Sequence, residues 1–332
     1  MWCFGGIIVI CVVIFCVLNV AYKKTNCYKN ECIDIRNYEQ GIRDGLDLVN
    51  LGSTYSKFAF GTYDDLKLNG CDLSLQAQSL DVDYAILRQY GNKINKGGIV
   101  FITLAACCML YEGNKNNPLY YKILNKKYNP KHSIKGRFES IFPLFVHPKR
   151  IKTLIKDRYL FANVYDSLPA QISRQQSETT AKSFAEGWIH MFGLSDLQHV
   201  DISDLNKKVI FKNMYILNDI LNECFNRELI PVILIPPFTE RLNKYYSKEF
   251  VDTVLVEPVR QVINGKNIAF LNYQWDKEFQ NNYSLFVDGC FRLNEVGSKI
   301  LIKKISKDMK KLGVIINNNN YGREPDYVRE IT

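Results

Sequence analysis

The chain has 332 residues, 47% of them hydrophobic and 23% charged, with a formal net charge of +9. That length suits one large α/β domain with an insertion, or two domains. The ten cysteines form no Cys-x-x-Cys pair and no Cys/His cluster, so no metal or other cofactor is expected, and no nucleic-acid-binding motif accompanies the positive charge.

Trp2 to Tyr22 is uncharged and apolar apart from Asn19. At about 20 residues it matches the hydrocarbon core of a bilayer. A cleaved signal peptide would carry Lys or Arg before the apolar run and small residues at its end, and neither is present. Val13-Ile14-Phe15 is too bulky for lipoprotein processing at Cys16. The segment 1–24 is therefore read as an uncleaved transmembrane anchor. Lys23 and Lys24 follow it directly and, taken alone, favour a cytoplasmic C-terminal part. A polar connector, 25–45, comes next, in which Cys27 and Cys32 read either as a small loop disulfide or as two free thiols.

From residue 46 strand-like and helical runs alternate. Leu46–Leu51 and Cys71–Leu75 predict strands, and Ser79 caps a helix from Leu80 to Tyr90, with Val82, Ala85 and Ile86 at helical spacing. Gly97-Gly98 opens the apolar run Ile99–Leu104, of the kind buried in a parallel sheet. Residues 111–204 break the alternation and predict an inserted subdomain. Eleven Lys and Arg lie between Lys122 and Arg158 against only Glu139 and Asp157, which suits lipid headgroups, an anionic polymer or a solvated surface. Alternation resumes with a helix from Leu205 to Arg227, a strand Ile230–Ile235 ended by Pro236-Pro237, a helical stretch Ser247–Ile263, and a strand Ile268–Asn272. A last helix is capped by Asn294 and stopped by Gly313. The tail 317–332 is polar. Such alternation predicts an α/β fold: a parallel sheet, formed by 46–110 and 205–316, covered by helices on both faces.

Ligands of such sheets bind at the carboxyl ends of the strands. There, Gly52-Ser53-Thr54 ends the first strand, placing two hydroxyls at a helix start where free N–H groups stabilise an oxyanion. Ser56 presents the hydroxyl instead if that helix begins a turn later. Gln76-Ala77-Gln78-Ser79 follows the second strand, and Asp288 stands a few residues before Leu293-Asn294-x-x-Gly297. Asn50 to Thr54, Leu75 to Leu80, and Asp288 with Leu293-Asn294-x-x-Gly297 together resemble the three blocks of an SGNH (GDSL-type) hydrolase-fold protein. The likeness is to the membrane-anchored branch that includes the lipoteichoic acid D-alanylation protein and alginate O-acetylation proteins, and it runs from about Leu46 to Leu312 without the insertion.

That resemblance implies a flavodoxin-like three-layer sheet, an extracytoplasmic domain on a single-pass cytoplasmic-membrane anchor, and O-acylation or assembly of a cell-envelope polysaccharide. It further implies a membrane-bound O-acyltransferase as partner, with lipids and the polymer or its acylated precursor as the other contacts. Thr54 or Ser53 takes the place of the nucleophile and Asp288 of the acid; Gly52, Gln78, Arg292 and Asn294 take oxyanion or substrate-binding places. Two positions depart from the family pattern. The nucleophile position carries Thr54, a β-branched hydroxyl, and the general-base histidine is replaced by Arg292, which stays protonated and cannot accept a proton. The rival expectation is a catalytically silent member that binds glycan or scaffolds an acyltransferase, with Arg292 as an anion clamp. The four histidines, at 132, 147, 190 and 199, all fall in the insertion.

Overall fold

The computed structural model describes residues 2–61, 63, 68–113, 117–130, 132–156, 174–313 and 330–331. In chain order the elements that position the site are α1 (Trp2–Lys23), β1 (Leu46–Gly52), α2 (Thr54–Ala59), β2 (Gly70–Asp72), α3 (Leu80–Tyr90), β3 (Ile94–Thr103), α4 (Ile134–Ile141) and α5 (Pro143–Val146). They continue with α6 (Ile151–Lys156), α7 (Arg174–Phe192), α8 (Asp204–Asn226), β4 (Ile230–Ile235), α9 (Glu257–Ile263), β5 (Ala269–Asn272), α10 (Glu295–Lys311) and β6 (Glu330–Ile331).

The chain divides into two compact units, one of residues 1–41 with 114–170, the other of residues 42–113 with 171–332. The insertion expected over 111–204 is thereby split: its first part joins the N-terminal helix, and α7 joins the sheet unit. Most of the tail from 317, and the insertion residues 157–173, lie outside the described residues.

The sheet unit is α/β. Five strands stand in the order β2-β1-β3-β4-β5, with the two residues of β6 added beside β5, and every pairing is parallel. The order reverses at β1, so its carboxyl end and that of β3 flank a topological switch point, where such sheets bind ligands. Gly52 pairs with Thr103, and Thr103 with Leu234. β3 begins earlier than its apolar run because Ile94 pairs with Leu46 across a shift of register.

Pleat alternation sorts the strands' side chains between two cores. Leu48, Phe101, Val232, Leu234 and Leu271 pack with Leu301, Ile302, Ile305 and Met309 of α10. Val49, Val100, Ile102 and Ile233 alternate with them and are fully buried too. The helix α8 pairs with α3 and α9. It is fixed at its start by Ser203, whose hydroxyl accepts from Asn206 N at 3.2 Å. The stretch 247–263 is helical but passes through a π-helical turn at Asp252–Val256 before α9.

In the other unit α1 packs against α5 and α6. Ile7, Ile10, Val13, Ile14 and Val17 on it are exposed, Phe15 and Leu18 are half-buried and Tyr22 is buried. Among the described residues no helix is long and apolar enough to cross a membrane. Cys27 and Cys32 are not joined in a disulfide, and Cys32 Sγ accepts from Lys122 Nζ at 3.1 Å.

Candidate functional site

Gly52 closes β1 with φ +123°, a conformation that side chains other than hydrogen rarely adopt, and its N–H donates to Asp83 Oδ1 of α3 at 2.8 Å. The turn carries Ser53 to the first position before α2 and Thr54 into its first turn. Both are half-buried, and among the described residues neither hydroxyl has a hydrogen-bond partner. Ser56 is different. It is fully buried, and its Oγ accepts from Asn50 Nδ2 at 2.8 Å, so it belongs to the packing beneath the turn. Asn50 Nδ2 also donates to Asp72 Oδ1 at 2.7 Å, and Ser74 donates to the same oxygen through its N–H and hydroxyl. Burial raises the Asp72 carboxyl above its ordinary range, against those hydrogen bonds and Lys57.

Gln78 does not point an amide donor at the turn: its Nε2 donates to Asp83 Oδ1, and its Oε1 is buried without a partner. Asp83 is thus held by two donors, yet burial pushes its carboxyl up to about 7. Asn294 is likewise committed. Its Oδ1 accepts from Gly297 N at 3.0 Å, its Nδ2 donates to Ser284 O at 2.6 Å, and it caps α10.

Asp288 is buried. Its Oδ1 accepts from three successive backbone N–H groups, Cys290 at 2.8 Å and Phe291 and Arg292 at 3.1 Å each. Its Oδ2 is buried with no hydrogen-bond partner and faces Arg292 Nε at 3.7 Å, itself buried and without one. Desolvation raises the Asp288 carboxyl, and the three N–H groups and Arg292 oppose that rise. The Arg292 guanidinium lies 5.6 Å from the ring centres of Phe58 and Phe291 and 5.7 Å from that of Phe184. Phe58 belongs to α2, so the structure brings Arg292 and the helix behind Ser53 and Thr54 together.

The sequence reading missed the cover on this edge. Helix α7 lies against the 288–292 loop: Cys290 Sγ donates to Ser177 O at 3.6 Å, and a Cβ on Gly289 would meet Ser177 Cβ at 2.5 Å. Phe184 and Trp188 of α7 join Tyr55, Phe238 and Phe291 in one aromatic cluster, with Phe291 4.9 Å from Tyr55 and 4.8 Å from Phe184. Ser177, Ala181, Phe184, Ala185 and Trp188 stand at helical spacing. That signal was available but lies among polar residues.

Among the described residues no histidine is hydrogen-bonded to Ser53, Thr54 or Asp288. His190 is exposed on α7, and His199 is exposed and bound to Asp196. His132 meets Tyr121 edge to face and His147 binds Glu139, both within the other unit. Cysteine is no substitute either. Burial pushes the thiols of Cys107 and Cys290 up to about 12, so at pH 8 only about one molecule in ten thousand carries the thiolate. Iodoacetamide at that pH is expected to leave both unmodified in the native chain and to alkylate both in denaturant. Peptide mapping checks it, and native labelling of Cys290 would refute the assignment.

A cavity of about 280 Å³ in the N-terminal unit is lined by Tyr28, Glu31, Cys32, Lys122, Glu139 and Arg150, among others. Its cations are paired, Arg150 with Glu31 at 3.2 Å and Lys122 with Glu39 at 3.4 Å. Among the described residues no group of His, Cys, Asp and Glu is arranged to hold a metal.

Chemically, the switch-point edge presents two unengaged hydroxyls, a permanently cationic guanidinium in an aromatic frame, and a buried carboxylate already spent on backbone donors. That set binds an anion more readily than it transfers a proton. No protein-family model matches the chain, and no curated protein is significantly similar to it.

Proposed function

We propose that the chain is a membrane-anchored, SGNH-like protein that works in O-acylation or assembly of a cell-envelope polysaccharide, and that its site binds the polymer without cleaving an ester. The observation that carries this reading is Arg292. It occupies the place of the base, and Asp288, which would orient a histidine, gives one oxygen to three N–H groups and turns the other toward the guanidinium. A guanidinium recognises carboxylate or phosphate with paired donors, and the neighbouring phenylalanine rings give a sugar face something to lie on. The anchor is the uncharged segment Trp2 to Tyr22, the large domain faces outward, and a membrane-bound O-acyltransferase is the partner.

The test is binding of uronate and glycerol-phosphate oligomers to the full chain in detergent. Arg292→Ala should weaken binding by about 10- to 100-fold, the range for one charge-assisted contact, while the double variant Ser53→Ala/Thr54→Ala should bind as the wild type does. Equal binding by Arg292→Ala would sink the proposal.

A second reading rests on the two unengaged hydroxyls: an acyl esterase or transferase with Thr54 or Ser53 as nucleophile. It requires turnover of acetylated oligosaccharides above the double-alanine background, or loss of polymer acylation in cells carrying that double variant.

A further inference from the structure

We propose that the corner formed by α4 and α5 is a membrane foot, seated in the interfacial layer of an anionic bilayer beside α1. The proposal rests on reading α1 as the anchor.

Ile134, Phe138, Ile141 and Phe145 recur at spacings of four, three and four and are all exposed, Ile134 to 88%. Phe138, Phe142 and Phe145 form an aromatic group with centroids 5.3 to 5.8 Å apart. Ile134, Phe138 and Ile141 lie on α4 and Phe145 on α5 beyond the break at Phe142; so many exposed apolar side chains together mark an interaction surface. Its neighbour is α1, on which Ile7, Ile10, Val13, Ile14, Val17 and Val20 are also exposed. Phe145 meets Phe15 at 4.0 Å between ring centres, so the two apolar surfaces are continuous within one unit.

Asn19 fixes the depth. It is the one amide in Trp2 to Tyr22, and it is buried. Its Nδ2 donates to Ile141 O at 3.0 Å, and its Oδ1 accepts from Leu144 N at 3.3 Å, which are the backbone groups left open where α4 ends and α5 begins. At 1.5 Å per residue, Asn19 lies about 6 Å and Phe15 about 12 Å along the axis from Lys23. In a half-core of about 15 Å, the corner's backbone turn thus meets α1 near the edge, at Asn19, and Phe145 reaches deeper into the hydrocarbon, at Phe15. An irregular backbone survives there only if its polar groups are satisfied. Here Phe142 N donates to Phe138 O, Phe145 N to Phe142 O and His147 N to Pro143 O, and Pro143 has no N–H to satisfy.

Charge selects the lipid. Lys135, Arg137, Lys149 and Lys152 around the corner are exposed, Arg150 is paired with Glu31, and the lone acid on α4, Glu139, is held by His147 at 2.7 Å. Exposed cations beside an apolar stripe fit anionic headgroups. An anionic polymer would account for the cations and leave the stripe unexplained.

The experiment places p-benzoylphenylalanine at Ile14, Phe138 or Lys303 in the full chain, in nanodiscs mixing phosphatidylglycerol with phosphatidylcholine, and identifies photo-adducts by mass spectrometry. Lipid adducts are expected at 14 and 138 and not at 303. Adducts at 138 should favour phosphatidylglycerol by about fivefold over its mole fraction, the equivalent of one headgroup contact to a lysine or arginine. Adducts at 14 without adducts at 138 would overturn the foot and leave the anchor standing. No adducts at 14 would overturn the anchor and the foot with it. Adducts at 138 to a second copy of the chain, in place of lipid, would also overturn the foot.

Discussion

Gly52→Ala is expected to cost about 3–5 kcal/mol, or to leave no cooperative unfolding transition at all. Two penalties combine at this position. The backbone sits at φ +123°, and a Cβ would stand 2.6 Å from Thr103 O, a backbone atom of the central strand β3 that has no freedom to move aside. Strained φ and overlap with a strand each cost about 1–3 kcal/mol or more, and shifting Gly52 would also loosen its N–H from Asp83. Denaturant titration of the wild type and variant measures it. A loss below about 1 kcal/mol would show that the strand end moves easily and that the turn presenting Ser53 and Thr54 is not fixed by Gly52.

Asp83 carries the second large effect, and its sign runs against the usual carboxylate. Burial lifts it from an ordinary 3.8 to about 7 in the folded chain. Between those values the folded state holds a proton that the unfolded state has lost, so stability falls as pH rises from about 4 to about 7. The span of about three pH units corresponds to about 4 kcal/mol at the limit. Asp83→Asn keeps an oxygen for the Gly52 N–H and cannot ionise. Relative to wild type, the variant should therefore gain about 2–4 kcal/mol between pH 4 and pH 8, in unfolding free energies measured at several pH values. Parallel curves would mean that Asp83 titrates normally.

Much of the sheet was legible because its strands are short, continuous apolar runs bounded by glycine, proline or polar residues. Leu46–Leu51, Ile230–Ile235 and Ile268–Asn272 agree with β1, β4 and β5 to within a residue, and the stripes in α3 and α8 gave those helices. β2 was less legible: it pairs over Gly70–Asp72 only, and Leu73 and Leu75 continue as buried loop. Composition alone set the edges of the insertion. Residues 174–192 are rich in Ser, Thr, Glu and Lys, and only their packing on the 288–292 loop shows that they belong with the sheet. At the candidate site, Gly52, Ser53, Thr54 and Asp288 were singled out from strand ends and spacing. Asp83 was not, since its meeting with the Gly52 N–H depends on how α3 crosses the sheet. The rings around Arg292, Phe58, Phe184 and Phe291, come from three separate segments, which no local pattern records.

The bond between Asn19 and Ile141 spans 122 positions of the chain. During synthesis at about 5–20 residues per second, the N-terminal helix leaves the ribosome about 6 to 24 seconds before the backbone groups that satisfy its amide. Through that interval the chain carries an open amide in an apolar segment while the first three strands emerge, so a chaperone, a lipid headgroup or water must serve Asn19 until α4 and α5 arrive.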